Sequence, residues 1–333
     1  SMNFTLVTDS RGGGSAVAAE PRETTSALFQ TCTGCLIARC SSQSNQNPAG
    51  IDLTSKLTDG SNRGWVFDEV VFTNNWNTAQ LGQGGAVRCS ASSQAQDRLF
   101  SLIMRNTVGA RNVAQLGGMV MLNSLCELQA TNFSCSYGTM AGDEIAQDTS
   151  QESIGSCVFL FAPGPVAASF SGRTAIIGCN DHAIIASSAV SFTMSGRTLF
   201  GANSMALGIQ VAPVQIDLHG EVDFFLNGGT SLPSAVDCRA PDAKVILHSG
   251  ADFRVFAPAL VTVSGLLRGK PQRFRASDGG ALFFENACSA VVESGAVVNV
   301  QALGVFPRRV AALTVKQSSS VVVKPGATVI VGG

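Results

Sequence analysis

Aromatic residues other than phenylalanine are nearly missing from this sequence. Trp65, Trp76 and Tyr137 are all there is of Trp and Tyr in 333 residues, and neither type occurs after Tyr137. Sugar-binding grooves and stacking platforms for single-stranded bases depend on exposed aromatic side chains, so this scarcity argues against both. Charge is scarce as well. Only 14% of residues are charged, and 22 Lys+Arg against 23 Asp+Glu leave a net charge of −1. A globular chain ordinarily carries about a quarter charged residues. Such a balance gives no pull toward nucleic acid or an anionic membrane. No apolar run approaches the ~18 residues that a spanning helix needs. The longest, from Val158 to Phe170, is broken by Pro163, Gly164 and Pro165. The N-terminal stretch from Ser1 to Ser26 shows no basic start and no apolar h-region, so no signal peptide is visible. A phosphate-binding loop, a dinucleotide fingerprint, His-Glu-x-x-His and Gly-x-Ser-x-Gly are also missing. No cofactor is therefore expected.

What the chain does have is hydrophobic residues, at 45%, and text that repeats. Residues 280–300 and 311–331 align at an offset of 31, with identity at 281/312, 282/313, 289/320, 291/322, 292/323, 295/326, 296/327, 298/329 and 300/331. A weaker copy, "VILHSGADFRV", starts at Val245. Fixed-period self-similarity marks a repeat architecture. Large apolar residues recur at Phe72, Ile103, Phe133, Phe161, Phe192, Phe224, Phe253, Phe284 and Val315, in steps of 28 to 32. They predict one inward ladder. Within each repeat, runs of four to six residues rich in Val, Ile and Phe alternate with polar residues and end at Gly, Ser, Asn or Asp, which is strand patterning. The expected fold is all-β: a single-stranded right-handed parallel β-helix of about nine to ten coils of ~30 residues. It would occupy 31–333, with 1–30 as an N-terminal arm or irregular cap. Coils stacked at the strand spacing would make a rod on the order of 45 Å long.

Two short motifs carry a resemblance. One is Gly-Gly-Ala-aliphatic, at Gly84-Gly85-Ala86-Val87 and Gly279-Gly280-Ala281-Leu282, with Gly117-Gly118-Met119-Val120 close to it. The other is Phe-x-x-Asn, at Phe72/Asn75, Phe224/Asn227 and Phe283/Asn286, with Ile103/Asn106 as a variant. In this the chain resembles the passenger repeats of polymorphic membrane proteins, which are autotransporter adhesins, and more broadly the pectin-lyase-like β-helices, including viral β-helix surface proteins. The resemblance covers about residues 70–290. It implies a β-helix, with Phe in the core and Asn satisfying turn backbone, and an outward surface role. The C-terminal membrane barrel of an autotransporter is not in this sequence.

Candidate chemistry is sparse. "CNDHAII" at Cys179 and "RGKPQRFR" at Arg268 faintly resemble elements of polysaccharide lyases, with the wrong spacing in the second. His219 and His248 lie 29 apart, one repeat, with Asp217, Glu221, Asp223 and Asp252 near them. Stacked on neighbouring strands, such a pair could hold a divalent metal or do acid–base work. The blander reading is a solvated outer face. Cys32-x-x-Cys35 followed by Cys40 is half of a zinc site without a second pair at matching spacing, so a disulfide or buried thiols is the preferred reading there. The ten cysteines as a set are read as reduced, buried thiols. Cys126 and Cys157, 31 apart, are read as an inward thiol ladder.

The function expected from all this is a non-enzymatic structural or surface β-helix, adhesin-like or a virion component, acting by assembly and surface binding. Its location would be the extracellular surface or a virion. The last repeat reaches Val331 with no polar cap behind it, which points to self-association or a capping partner at that end. No nucleic acid and no membrane span is expected, and carbohydrate stays open as a ligand. The alternative is a polysaccharide lyase or glycoside hydrolase acting on an acidic polysaccharide.

Overall fold

The computed structural model describes residues 2–3, 6–9, 11–12, 17–19, 29–43, 48–57, 63–77, 79, 82–93, 99–114, 117–123, 125–136, 157–160, 166–179, 182–186, 190–201, 203, 205–209, 214–225, 235–238, 243–258, 260–267, 270–275, 282–284, 287–303 and 313–332. These residues are all-β, with no helix among them. None of the described segments is therefore a helix long and apolar enough to cross a membrane.

Three long parallel sheets hold most of the strands. The first has eleven, from Met2–Asn3 to Ser320–Val323, and the second has eleven, from Leu6–Thr8 to Thr328–Gly332. The third has ten, from Val17–Ala19 to Leu313–Val315. A small parallel sheet joins Arg11–Gly12, Ser41–Ser42 and Trp76–Asn77. The chain visits the first, second and third sheets in turn, then returns to the first one strand further along. Each such passage is one rung. Among the described residues, one antiparallel pair, Leu260–Leu267 with Lys270–Arg275, interrupts the sequence of visits. Pairing shows no break at residue 30: Met2 already pairs with Cys32, Leu6 with Leu36 and Val17 with Ile51.

Side chains of a strand alternate between faces, and burial follows. Val166–Ser171 reads buried, intermediate, buried, intermediate, buried, intermediate, and Ser289–Val292 alternates in the same way. The inward faces of the three sheets share one apolar core, which includes Phe67, Phe72, Phe100, Phe133, Phe170, Phe192, Phe200 and Phe224.

The repeated text is the pairing register. Leu282 pairs with Leu313, Ser289 with Ser320, Val291 with Val322, Val292 with Val323, Val298 with Val329 and Val300 with Val331. In a parallel stack, a residue and its copy one rung on meet the same surroundings, so identical text recurs at the rung length. That length is not constant. The rung from Met194 to Leu218 is short, the next, to Leu247, is longer, and the one after, to Val292, is nearly twice the first. The Phe72–Val315 series is accordingly not one ladder. Phe72 and Phe224 face inward from the second sheet, Phe192 faces inward from the first, and Ile103 lies on the outward side of the first. Val315 is in the third sheet, and Phe161 lies outside the described residues. The near-constant spacing averages long and short loops and so mixes sheets.

The corners show what the two motifs do. Asn75 is fully buried and donates to the Ile37 carbonyl (3.0 Å) and to Asn112 Oδ1 (2.8 Å), while its own Oδ1 accepts from the Cys40 amide (3.1 Å). Asn112 in turn donates to the Phe72 carbonyl at 2.9 Å. Buried corner backbone is thereby satisfied rung by rung, as interior polar groups require. Asn227 and Asn286 of the other motif copies lie outside the described residues. The Gly-Gly corners stack directly. Gly85 donates to the Gly117 carbonyl (3.0 Å), and a Cβ on Gly85 would come within 2.3 Å of the Gly118 oxygen. Gly84 and Gly117 both have positive φ, 63° and 68°, which favours glycine.

The cysteines correct the sequence reading. Eight of them form disulfides, Cys32–Cys35, Cys89–Cys126, Cys157–Cys179 and Cys238–Cys288, and the buried Cys40 and Cys135 are in none of these bridges. No Cys126–Cys157 thiol ladder exists, because each is bonded elsewhere. Three of the bridges join one rung to the next near a corner where one sheet gives way to another, which a search along one column does not find. Burial pushes the Cys135 thiol well above its ordinary pKa, so little of it is thiolate, the reactive form. A thiol-reagent titration of the native chain is expected to label no cysteine. Unfolding without reductant should expose two thiols and unfolding with reductant all ten. Ten reactive thiols in the unreduced unfolded chain would contradict the pairing.

Candidate functional site

The polar residues of interest gather where the first sheet turns into the second. Asp217 is on the strand Val214–Leu218 and His219 follows it at the corner. His248 occupies the same corner one rung on, after Lys244–Leu247. Backbone bonds hold the equivalence: the His219 amide donates to the Met194 carbonyl and the His248 amide to the Leu218 carbonyl, both at 2.9 Å. Ser195 precedes the pair in this column, and Glu293 and Lys324 follow it, joined by an ion pair of 2.7 Å.

The two imidazole rings stack, with centroids 3.9 Å apart and planes 10° from parallel. His248 Nε2 lies 2.8 Å from Asp217 Oδ1, and Gln215 Nε2 donates to Asp217 Oδ2 at 2.9 Å. Asp217 is therefore gripped at both oxygens. Asp217, His219 and His248 each offer a ligand atom, and these atoms lie within 4.8 Å of one another.

Past the corner, on the outward face of the second sheet, is an ionic network. Glu221 and Asp223 lie on Glu221–Phe225, between Arg197 of the preceding strand and Asp252 and Arg254 of the following one. Arg254 reaches Asp223 (2.6 Å), Glu221 (3.3 Å) and Asp252 (3.7 Å). Arg197 reaches Glu221 (3.6 Å) and Asp223 (3.8 Å). Burial disfavours the charge on Arg254, but Asp223, Asp252 and Glu221 outweigh it and hold its pKa above the ordinary guanidinium value.

The sequence candidates thus separate. Asp217, His219 and His248 come together. Asp223 and Asp252 sit in the arginine network instead. Cys32, Cys35 and Cys40 make no zinc site: the first two are bonded to each other, and the buried Cys40 thiol donates to the Ala38 carbonyl at 3.4 Å. Cys179 of "CNDHAII" is in a disulfide, and the side chains of His182 and of residues 268–275 are outside the described set. Sequence reasoning missed Gln215, Arg197 and Arg254. The signal was present: Asp223 and Arg254 are 31 apart on paired positions, and Asp217 and His248, also 31 apart, meet through their side chains.

No known protein family, no curated protein and no solved structure matches this chain. Its resemblance to autotransporter passengers rests on the two motifs alone.

Proposed function

We propose that the chain is a single right-handed parallel β-helix, pectin-lyase-like in its winding, whose role is structural: a surface or virion component that works by assembly. The reading of nine to ten coils over 31–333 is supported by the eleven-strand first sheet, one strand of which, Met2–Asn3, precedes residue 29. The observation that carries the assembly role is the last rung. Val298 and Val300 are 6% and 1% exposed, whereas their partners Val329 and Val331 are 40% and 54% exposed. Among the described residues, these two inward apolar columns are exposed at the strand Thr328–Gly332, the last in its sheet, whose outer edge is a template for a further β layer. The occupant proposed is a second copy of this chain. On the outward first sheet, Ala167, Ser169, Ser191 and Thr193 line a shallow depression in which Glu127 is the one ionisable side chain, which favours a non-catalytic face.

Light scattering of the full chain is expected to give a mass of at least twice the 34.4 kDa monomer, and Val329→Lys with Val331→Lys to return it to monomer. A wild-type monomer at micromolar concentration contradicts the assembly reading.

A second reading, an enzyme acting on acidic polysaccharide, is favoured only by the three carboxylates and two arginines on the second sheet. Each of these carboxylates is already ion-paired. The expectation is no oligosaccharide release with or without Ca²⁺. Release that Asp223→Asn abolishes would replace the structural reading.

A further inference from the structure

We propose that Asp217, His219 and His248 bind one divalent transition-metal ion of the Zn²⁺ class, at the corner between the first and second sheets.

Three observations carry this. The first is convergence. A zinc ion holds nitrogen and oxygen ligands at about 2.0–2.2 Å, so atoms of one shell lie at most ~4 Å apart. The three donors here fall within 4.8 Å of one another, so side-chain rotation on a fixed backbone closes the difference. The backbone is fixed, since both His amides are bonded to the preceding rung.

The second is preorganisation. Metal-ligating carboxylates are normally held by an outer partner that fixes their direction. Gln215 supplies one to Asp217 Oδ2 and leaves Oδ1 toward His248. Asp217 and His248 side chains are 16% and 34% exposed. The donors are thus partly withdrawn from water, while His219, which is exposed, leaves a path for the ion.

The third is donor chemistry. Two imidazoles and one carboxylate select borderline cations such as Zn²⁺, Co²⁺, Ni²⁺ and Cu²⁺ over Ca²⁺ and Mg²⁺, which want oxygen shells. Three protein ligands leave a fourth tetrahedral position open to water or to a group from outside, the pattern of reactive rather than sealed zinc sites.

The test is Zn²⁺ titration calorimetry on the chelator-stripped full chain, with Co²⁺ absorption as the spectroscopic readout. One ion per chain is expected. His219→Ala, His248→Ala and Asp217→Asn should each weaken binding by about a hundredfold, and Gln215→Ala, which only loosens Asp217, by about tenfold. His182→Ala, the remaining histidine, should leave binding unchanged. Far-UV circular dichroism confirms that each variant is folded. Three results would overturn the proposal: no Zn²⁺ binding by the folded wild type, unchanged affinity in the double variant His219→Ala/His248→Ala, or a sulfur-to-cobalt charge-transfer band that places the ion on Cys40 or Cys135.

Discussion

Phe224→Ala lowers the unfolding free energy by about 3–5 kcal/mol, whereas Phe225→Ala, one residue along, changes it by less than ~0.5 kcal/mol. Phe224 is 1% exposed and its ring lies between those of Phe200 and Phe253, with centroids 5.0 Å and 4.9 Å away. Deleting it removes a large buried apolar surface and leaves a cavity bounded above and below by rungs that cannot collapse independently. Aromatic pairing adds to the loss. Phe225 points outward from the same strand and is 46% exposed. Urea unfolding of the two variants measures the contrast. Equal effects would mean that the strand Glu221–Phe225 does not present alternate faces to core and solvent.

The second large effect concerns the Cys238–Cys288 bridge. It closes a loop of 50 residues that contains the antiparallel Leu260–Leu267/Lys270–Arg275 pair. Constraint of the unfolded chain by a loop of that length contributes about 4 kcal/mol. Cys238→Ala/Cys288→Ala is expected to lose that amount, with the last rungs opening first, because stacked repeats depend mainly on their neighbours. Cys32–Cys35, three residues apart, closes a much shorter loop, and its removal should cost less than half as much. Thermal unfolding of the two double variants without reductant orders them. The reverse order would show that loop closure is not what these bridges contribute.

How far the sequence could be read depended on whether a residue's environment repeats. Val291, Val298 and Val300 meet their copies Val322, Val329 and Val331 face to face, so the offset of 31 was visible as text. The parallel, helix-free character followed from it. Earlier rungs hide the same architecture because the short rung from Met194 to Leu218 and the long one from Leu247 to Val292 differ in what connects their sheet strands, the long one holding the antiparallel Leu260–Leu267/Lys270–Arg275 pair. Loop length is set at the surface, where no ladder constrains it. The Phe series therefore looked regular while mixing sheets. The three disulfides between rungs were invisible for a related reason: Cys89 meets Cys126 at a corner of the next rung, at a separation of 37 that no strand period predicts. At the candidate site, His219 and His248 stood out by scarcity and spacing. Gln215, Arg197 and Arg254 did not, because single polar residues in strands read as ordinary outward positions until the register pairs them.

Successive rungs lie in parallel, one strand spacing apart, and everything else rests on that stacking. Spin labels at Val322 paired in turn with Val66, Ile103 and Gln129 test it most directly. All four occupy one outward column of the first sheet. They sit eight, seven and six strands apart in its order. Dipolar distances of about 38, 34 and 29 Å are predicted, falling by one strand spacing of ~4.8 Å each time. Distances that do not decrease in that order, or that fall in unequal steps of two strand spacings or more, would contradict the stack.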